Sequence, residues 1–165
     1  MKALFAGSFD PFTKGHFDIV ERGLKLFDSI VVAVGYNEHK PGEWSVDERV
    51  NAISTLFKGE PKVVVTSYSG LTSEYAKEIG VDVLLRGVRN ISDFEYERNL
   101  ADTNKAVFGV ETAFLIASPE LSFISSSMVR ELLHNGFDAY KYIAGDFPPK
   151  LFGSPRVINI KGNPK

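Results

Sequence analysis

No cysteine occurs among the 165 residues. Disulfide staples, thiolate nucleophiles and cysteine-ligated metal sites are thereby excluded, and the composition is compatible with the cytosol. An excess of one charge is also missing, since 19 Lys and Arg face 21 Asp and Glu for a formal charge of −2. A chain this close to neutral is expected neither to wrap nucleic acid nor to be drawn to a membrane surface. No signal-peptide pattern opens the chain, and no apolar run is long enough to span a bilayer. The sequon Asn90-Ile91-Ser92 therefore reads as chance. Several signatures of phosphate and acyl chemistry are absent as well. There is no G-x-x-x-x-G-K-[ST] loop, no G-x-G-x-x-G after the first strand, no histidine pair at metal-ligand spacing and no G-x-S-x-G elbow. Phosphate chemistry in this chain needs other hardware.

What is present is an ordinary soluble composition, 44% hydrophobic and 24% charged, of a length that suits one domain over 1–165. Apolar runs ended by turn residues read as strands at 2–7, 29–36, 62–68, 81–87 and 111–118. Between them lie helical patterns. Phe17, Val20, Leu24 and Phe27 recur at helical spacing, and "SVDE" (45–48) is a capping box before Val50, Ile53 and Phe57. Further helices are predicted over about 72–79, from a second capping box "SDFE" (92–95) to about Val107, and over 125–136. A tail rich in Pro and Gly is expected to be loosely ordered, from about Gly145 on its composition and from about 150 in the division of the domain. Strands that are apolar throughout and alternate with helices imply an α/β fold. It would be a Rossmann-like, doubly wound domain with a five-stranded parallel sheet flanked by helices. Such sheets bind ligands beyond the carboxyl ends of their strands.

The unusual residues cluster at those ends. In "GSFDPFTKGH" (7–16), Gly7 and Ser8 allow a sharp turn and Pro11 stiffens the loop. Thr13 or Lys14 begins a helix, placing Gly15 and His16 in its first turn, where free amides and the helix dipole favour an anion. A lone histidine on an amphipathic helix reads by itself as a surface residue; this loop makes it a candidate donor to a phosphoryl oxygen. In "RGVR" (86–89), two arginines three apart suit the forked recognition of phosphate, with surface ion pairs as the other reading. In "SFISSSMVRE" (122–131), one serine suffices as a helix cap and three suggest a polyphosphate site, with Arg130 in reach. Two helix amino termini and a basic rim predict a ligand with several phosphates.

These segments resemble a known family. Thr13-Lys14-Gly15-His16 is similar to the (T/H)-x-G-H motif of nucleotidyltransferases, and "ISSSMVRE" to their I-S-S-x-x-x-R signature. "RGVRNISDFEYE" resembles one branch, the bacterial phosphopantetheine adenylyltransferases, and the similarity runs from about Lys2 to Tyr142. The resemblance implies reversible transfer of the adenylyl group of ATP to 4′-phosphopantetheine, giving dephospho-coenzyme A and pyrophosphate, by direct in-line attack. It implies a cytoplasmic enzyme, commonly hexameric, that uses Mg²⁺ carried on the ATP phosphates, with neither nucleic acid nor membrane as partner. It also implies His16 and Lys40 as catalytic residues. ATP would be bound by Ser8, Phe9, His16, Gly87, Val88, Arg89 and Glu97, and by Leu121, Ser122, Phe123, Ile124, Ser125, Ser126 and Ser127. The acceptor would be bound by Ser8, Lys40, Thr72 and Arg86. Ser8 stands where many relatives carry threonine, Ala6 where proline is common and Leu121 where tryptophan is common. A sibling transferase using another acceptor, such as nicotinamide mononucleotide, and a non-catalytic nucleotide sensor are the alternatives. The sensor is disfavoured by the retention of His16, Lys40, Arg86 and Arg89.

Overall fold

The computed structural model describes residues 1–150 and Phe152. Five strands, β1 Lys2–Gly7, β2 Ser29–Tyr36, β3 Val63–Ser69, β4 Val83–Val88 and β5 Glu111–Ile116, form one sheet in the order β3-β2-β1-β4-β5. Every pairing is parallel. The chain winds outward from β1 to one edge, returns, and continues from β4 to the other edge, as expected of a doubly wound α/β sheet. The reversal lies between β1 and β4. There the helices leave in opposite senses and a crevice opens beyond the strand ends.

Alternation along the central strands divides the core. Ala3, Phe5, Ile30, Val32, Val34, Val83 and Leu85 face α1 (Lys14–Gly23), α2 (Val46–Leu56) and α5 (Ser126–His134), which contribute Ile19, Val20, Ala52, Ile53, Val129 and Leu133. Leu4, Ala6, Val31, Ala33 and Leu84 face the other side, where Ala76 of α3 (Thr72–Glu78) and Val110 pack. α4 (Ile91–Thr103) also lies over that side and runs into a π-helical turn, Asn104–Phe108, closed by Gly109 at φ 69°. The expected helix to Val107 is thus an α-helix that widens at its end.

Two local expectations are corrected. Helix α4 is capped by Asn90 rather than Ser92: the Asn90 side-chain oxygen accepts the Asp93 N–H at 2.8 Å. Asp93 itself turns back to accept from the Arg89 N–H and guanidinium, which leaves Ser92 inside the first turn. The second correction concerns 145–150, which is packed rather than loose. Trp44 is fully buried and its indole N–H needs an acceptor. Phe147 covers the ring edge-on at 5.6 Å and the Pro148 carbonyl accepts from Nε1 at 2.9 Å. Lys150 Nζ pairs with both Glu48 oxygens at 3.0 Å. The tail expected to loosen past 150 falls, apart from Phe152, outside the described residues.

Candidate active site

The loop between β1 and α1 carries the site's centre. Thr13 caps α1, and residue N3 of the capping box, the place usually taken by Glu or Gln, is His16. The Thr13 backbone N–H donates to His16 Nδ1 at 3.0 Å. An imidazole nitrogen that accepts this hydrogen bond carries no proton, so in the neutral ring the proton sits on Nε2. The ring packs against Phe9 at 5.1 Å, Phe12 at 5.3 Å and Phe5 at 6.1 Å between centroids, with an edge open to the crevice. Loss of hydration among these rings, with repulsion from Arg89 and Arg86, lowers its pKa from 6.5 to about 3. His16 therefore stands neutral at physiological pH, a donor through Nε2. The surface reading of a lone histidine does not describe it.

Glycines frame this loop for different reasons. A Cβ at Gly7 would lie 2.8 Å from the Phe9 ring, and one at Gly87 would lie 2.9 Å from Ile19 Cγ1. Close packing requires both. At Gly15 the nearest atom to a Cβ would be Thr13 Oγ1 at 3.6 Å, so packing does not demand glycine there; the position borders open crevice.

Two cavities meet at the switch point. The first, about 310 Å³, is enclosed by the loop after β1, the start of α1, the end of β4 and the turn before α5. Of the residues named from sequence, Ser8, Phe9, His16, Arg86, Gly87, Arg89, Glu97, Leu121, Ile124, Ser125, Ser126 and Ser127 line it. Three do not. Val88 is buried, Ser122 Oγ donates to the Pro119 carbonyl, and Phe123 is exposed against the edge of Tyr142. The second cavity, about 740 Å³, is lined by Lys40 and Thr72 with Arg49, Arg130, Ser8 and Arg86 among others. Ser8 and Arg86 belong to both and mark the boundary. A narrower slot of about 220 Å³ opens past Thr72 and Arg86 between Leu71, Leu100, Ala101 and Phe108. Thr112 lines it, and its Oγ1 is buried with no hydrogen-bond partner among the described residues.

The arginines are held by acceptors of the protein itself. Arg86 Nε donates to Glu97 Oε2 at 2.8 Å, Nη2 donates to Oε1, and Nη1 donates to the Ala6 carbonyl. Glu97 thus has a structural task beyond any ligand contact. Arg89 is held by Asp93, whose pKa is lowered chiefly by that hydrogen bond. The ion-pair and phosphate readings of "RGVR" are both compatible with this arrangement, because each pair leaves the cation at the rim of a cavity.

The three serines differ in use. Ser125 Oγ caps α5 by accepting the Met128 N–H, and Ser126 Oγ donates to the Pro11 carbonyl at 2.8 Å. Only Ser127 is exposed, near Arg130. Sequence reasoning did not single out Asp10 and Arg49, both buried beneath the loop. Asp10 accepts from the Glu43 and Trp44 N–H groups at 2.8 and 2.9 Å, and Arg49 Nη1 donates to the Ser8 carbonyl at 2.7 Å. In sequence Arg49 looks like one more polar residue on an amphipathic helix; the one signal was a charged residue inside the glycine-proline loop, Asp10.

A parallel sheet with an anion-ready crevice at its switch point is a setting for a nucleotide or another phosphorylated ligand. Residues 4–132 match the cytidylyltransferase-like family. A phosphopantetheine adenylyltransferase of Porphyromonas gingivalis is 49% identical over 150 residues, 91% of this chain and 95% of that protein. One from Flavobacterium psychrophilum is 48% identical over 137 residues, 83% of this chain and 91% of that one. The chain belongs to the phosphopantetheine adenylyltransferase family. Among solved structures, a bifunctional NMN adenylyltransferase/ADP ribose pyrophosphatase of Francisella tularensis superposes with a TM-score of 0.63 at 14% identity. That match covers 86% of this chain and 44% of that one, and it bears on the fold alone.

Proposed function

We propose that the chain catalyses adenylyl transfer from ATP to 4′-phosphopantetheine, forming dephospho-coenzyme A and pyrophosphate. One observation carries this reading. Two cavities rimmed by cations share a boundary at Ser8 and Arg86, with His16 on one side and Lys40 on the other. Two phosphorylated substrates bound there meet end to end. ATP takes the smaller cavity, near the α1 and α5 amino termini, and the acceptor phosphate takes the larger. The slot beyond Thr72 suits the acceptor's arm, a narrow chain of methylene groups interrupted by two amides.

The acceptor's phosphate oxygen is ionised at neutral pH, so no general base is needed. The protein's work is alignment of two polyanions and stabilisation of charge that grows on the α-phosphoryl group. His16 Nε2–H donates to that group as the charge develops, Lys40 and Arg86 hold the attacking phosphate, and amides near Ser8 and Phe9 complete the cradle. Lys40 is exposed at the mouth of the larger cavity, which it lines. Among the described residues no three His, Asp, Glu or Cys side chains gather to hold a metal, and Asp93 and Glu97 are taken by arginines. A magnesium ion fits this site as a partner of the ATP phosphates, where it would offset charge on the departing pyrophosphate. We further propose a cytoplasmic homo-oligomer, in keeping with Ile91, Tyr96, Val107 and Ile116, large apolar side chains that stay exposed on the single chain.

The test mixes purified protein with ATP, Mg²⁺ and 4′-phosphopantetheine and follows pyrophosphate. Release that requires the acceptor is expected. Turnover with nicotinamide mononucleotide and none with 4′-phosphopantetheine would replace the substrate assignment and leave the reaction class standing.

A further inference from the structure

We propose that Arg49 is a positioning residue for this transfer, holding the Ser8–Phe9 peptide so that its N–H faces the phosphates. The inference rests on the adenylyl-transfer reading above. Arg49 lies in the first turn of α2, is 4% exposed, and still carries a charge that burial penalises; loss of hydration lowers its pKa and nearby Asp10 opposes that shift. A buried cation needs a reason, because hydrophobic residues of similar size pack at less cost. Its fork spans two elements. Nη1 donates to the Ser8 carbonyl at 2.7 Å and Nε donates to the Ser45 carbonyl at 3.2 Å.

The first of these bonds decides an orientation. Across a trans peptide the carbonyl and the following N–H point in opposite directions. With the Ser8 carbonyl fixed on Arg49, the Phe9 N–H is turned away from α2, and it has no acceptor among the described residues. Phe9 pays for this geometry with φ 47°, a left-handed conformation rare for a residue with a bulky side chain. Such a conformation persists only where its surroundings over-determine it. Here the Phe9 ring is locked between Phe5, Phe12 and His16, and the carbonyl before it is locked by Arg49. Asp10 extends the hold to the next loop by accepting the Glu43 and Trp44 N–H groups. Two buried charges, Arg49 and Asp10, thereby couple the peptide beside the nucleotide cavity to the loop that carries Lys40.

Arg49→Met and Arg49→Lys test this. Each variant is measured well below its own melting temperature, with kcat, both KM values and ATP affinity by calorimetry. Arg49→Met is expected to lower kcat by ~30-fold or more, in line with loss of an aligned phosphate donor, and, because Arg49 also lines the acceptor cavity, to raise the KM for 4′-phosphopantetheine by a smaller factor than kcat falls. Arg49→Lys, which can reach the Ser8 carbonyl but cannot span both carbonyls, is expected to recover part of kcat. A folded Arg49→Met protein with kcat within about threefold of the parent would overturn the proposal. So would a loss confined to melting temperature. Absence of pyrophosphate release by the parent protein would instead count against the reaction assignment, and ATP affinity would still report whether Arg49 shapes the cradle.

Discussion

His16 acts through the nitrogen its own backbone leaves it. With Nδ1 committed to the Thr13 N–H, the ring offers one donor, and its depressed pKa keeps it neutral across the working range. The stability consequence has a definite sign. The folded value is about 3 against 6.5 for an ordinary histidine, so between those pH values the unfolded chain binds more protons. This residue's contribution is constant above about pH 6.5 and erodes the fold as pH falls toward 3. His16→Asn keeps an acceptor for the Thr13 N–H and lacks Nε2. We expect kcat to fall by ~10²–10³-fold, as when one transition-state donor is removed. We also expect the drop in melting temperature between pH 6.5 and 4 to be smaller in His16→Asn than in the parent. An equal drop in both proteins would mean that His16 titrates near its ordinary value.

At the scale of elements, the start of α5 separates two uses of one residue type. Ser125→Ala removes a cap and should cost about 1 kcal/mol in urea unfolding with little change in kcat. Ser126→Ala removes the bond to the Pro11 carbonyl and should cost about 1 kcal/mol as well. Because that bond fixes the loop bearing Phe9, it should also lower kcat; equal kcat in the two variants would contradict this division. In sequence the three serines look alike, and nothing local separates cap from staple. The strands and most helices were legible because each is a local pattern: apolar runs at 29–36, or Ser45 facing Glu48 three residues on. The cap at Asn90 was hidden by an equally good serine two residues later, and the π-helical turn has no periodicity of its own. Candidate residues in the loop after β1 and in "RGVR" could be found because they sit at strand ends. Arg49, Asp10 and the Glu97 partnership depend on contacts across 41, 34 and 11 residues, which no local pattern carries.

At the scale of the whole molecule, Trp44 offers a single reporter. It is the one tryptophan of the chain, fully buried, between Phe147 and the Pro148 carbonyl, and its backbone N–H holds Asp10. Its emission should be blue-shifted in the native protein and move red in a single step on urea unfolding, together with loss of helical circular dichroism. Phe147→Ala should shift native emission to the red and cost roughly 3–5 kcal/mol, as for a buried aromatic truncated to alanine. An unchanged emission maximum in that variant would show that the 145–150 segment does not cover the indole.

The strand order has a consequence for the chain as it is made. β1 is synthesised first, yet it lies at the centre of the sheet and borders the crevice with β4, whose register pairs Ala3 with Val83 and Phe5 with Leu85. The β1–β2–β3 half can assemble before β4 and β5 have emerged from the ribosome, with one edge of β1 unpaired. The crevice closes later, when β4 docks and Ser126 reaches Pro11 across 115 residues of chain. A nascent chain halted before Ser126 would therefore carry every residue of the His16 loop and still have no nucleotide cavity.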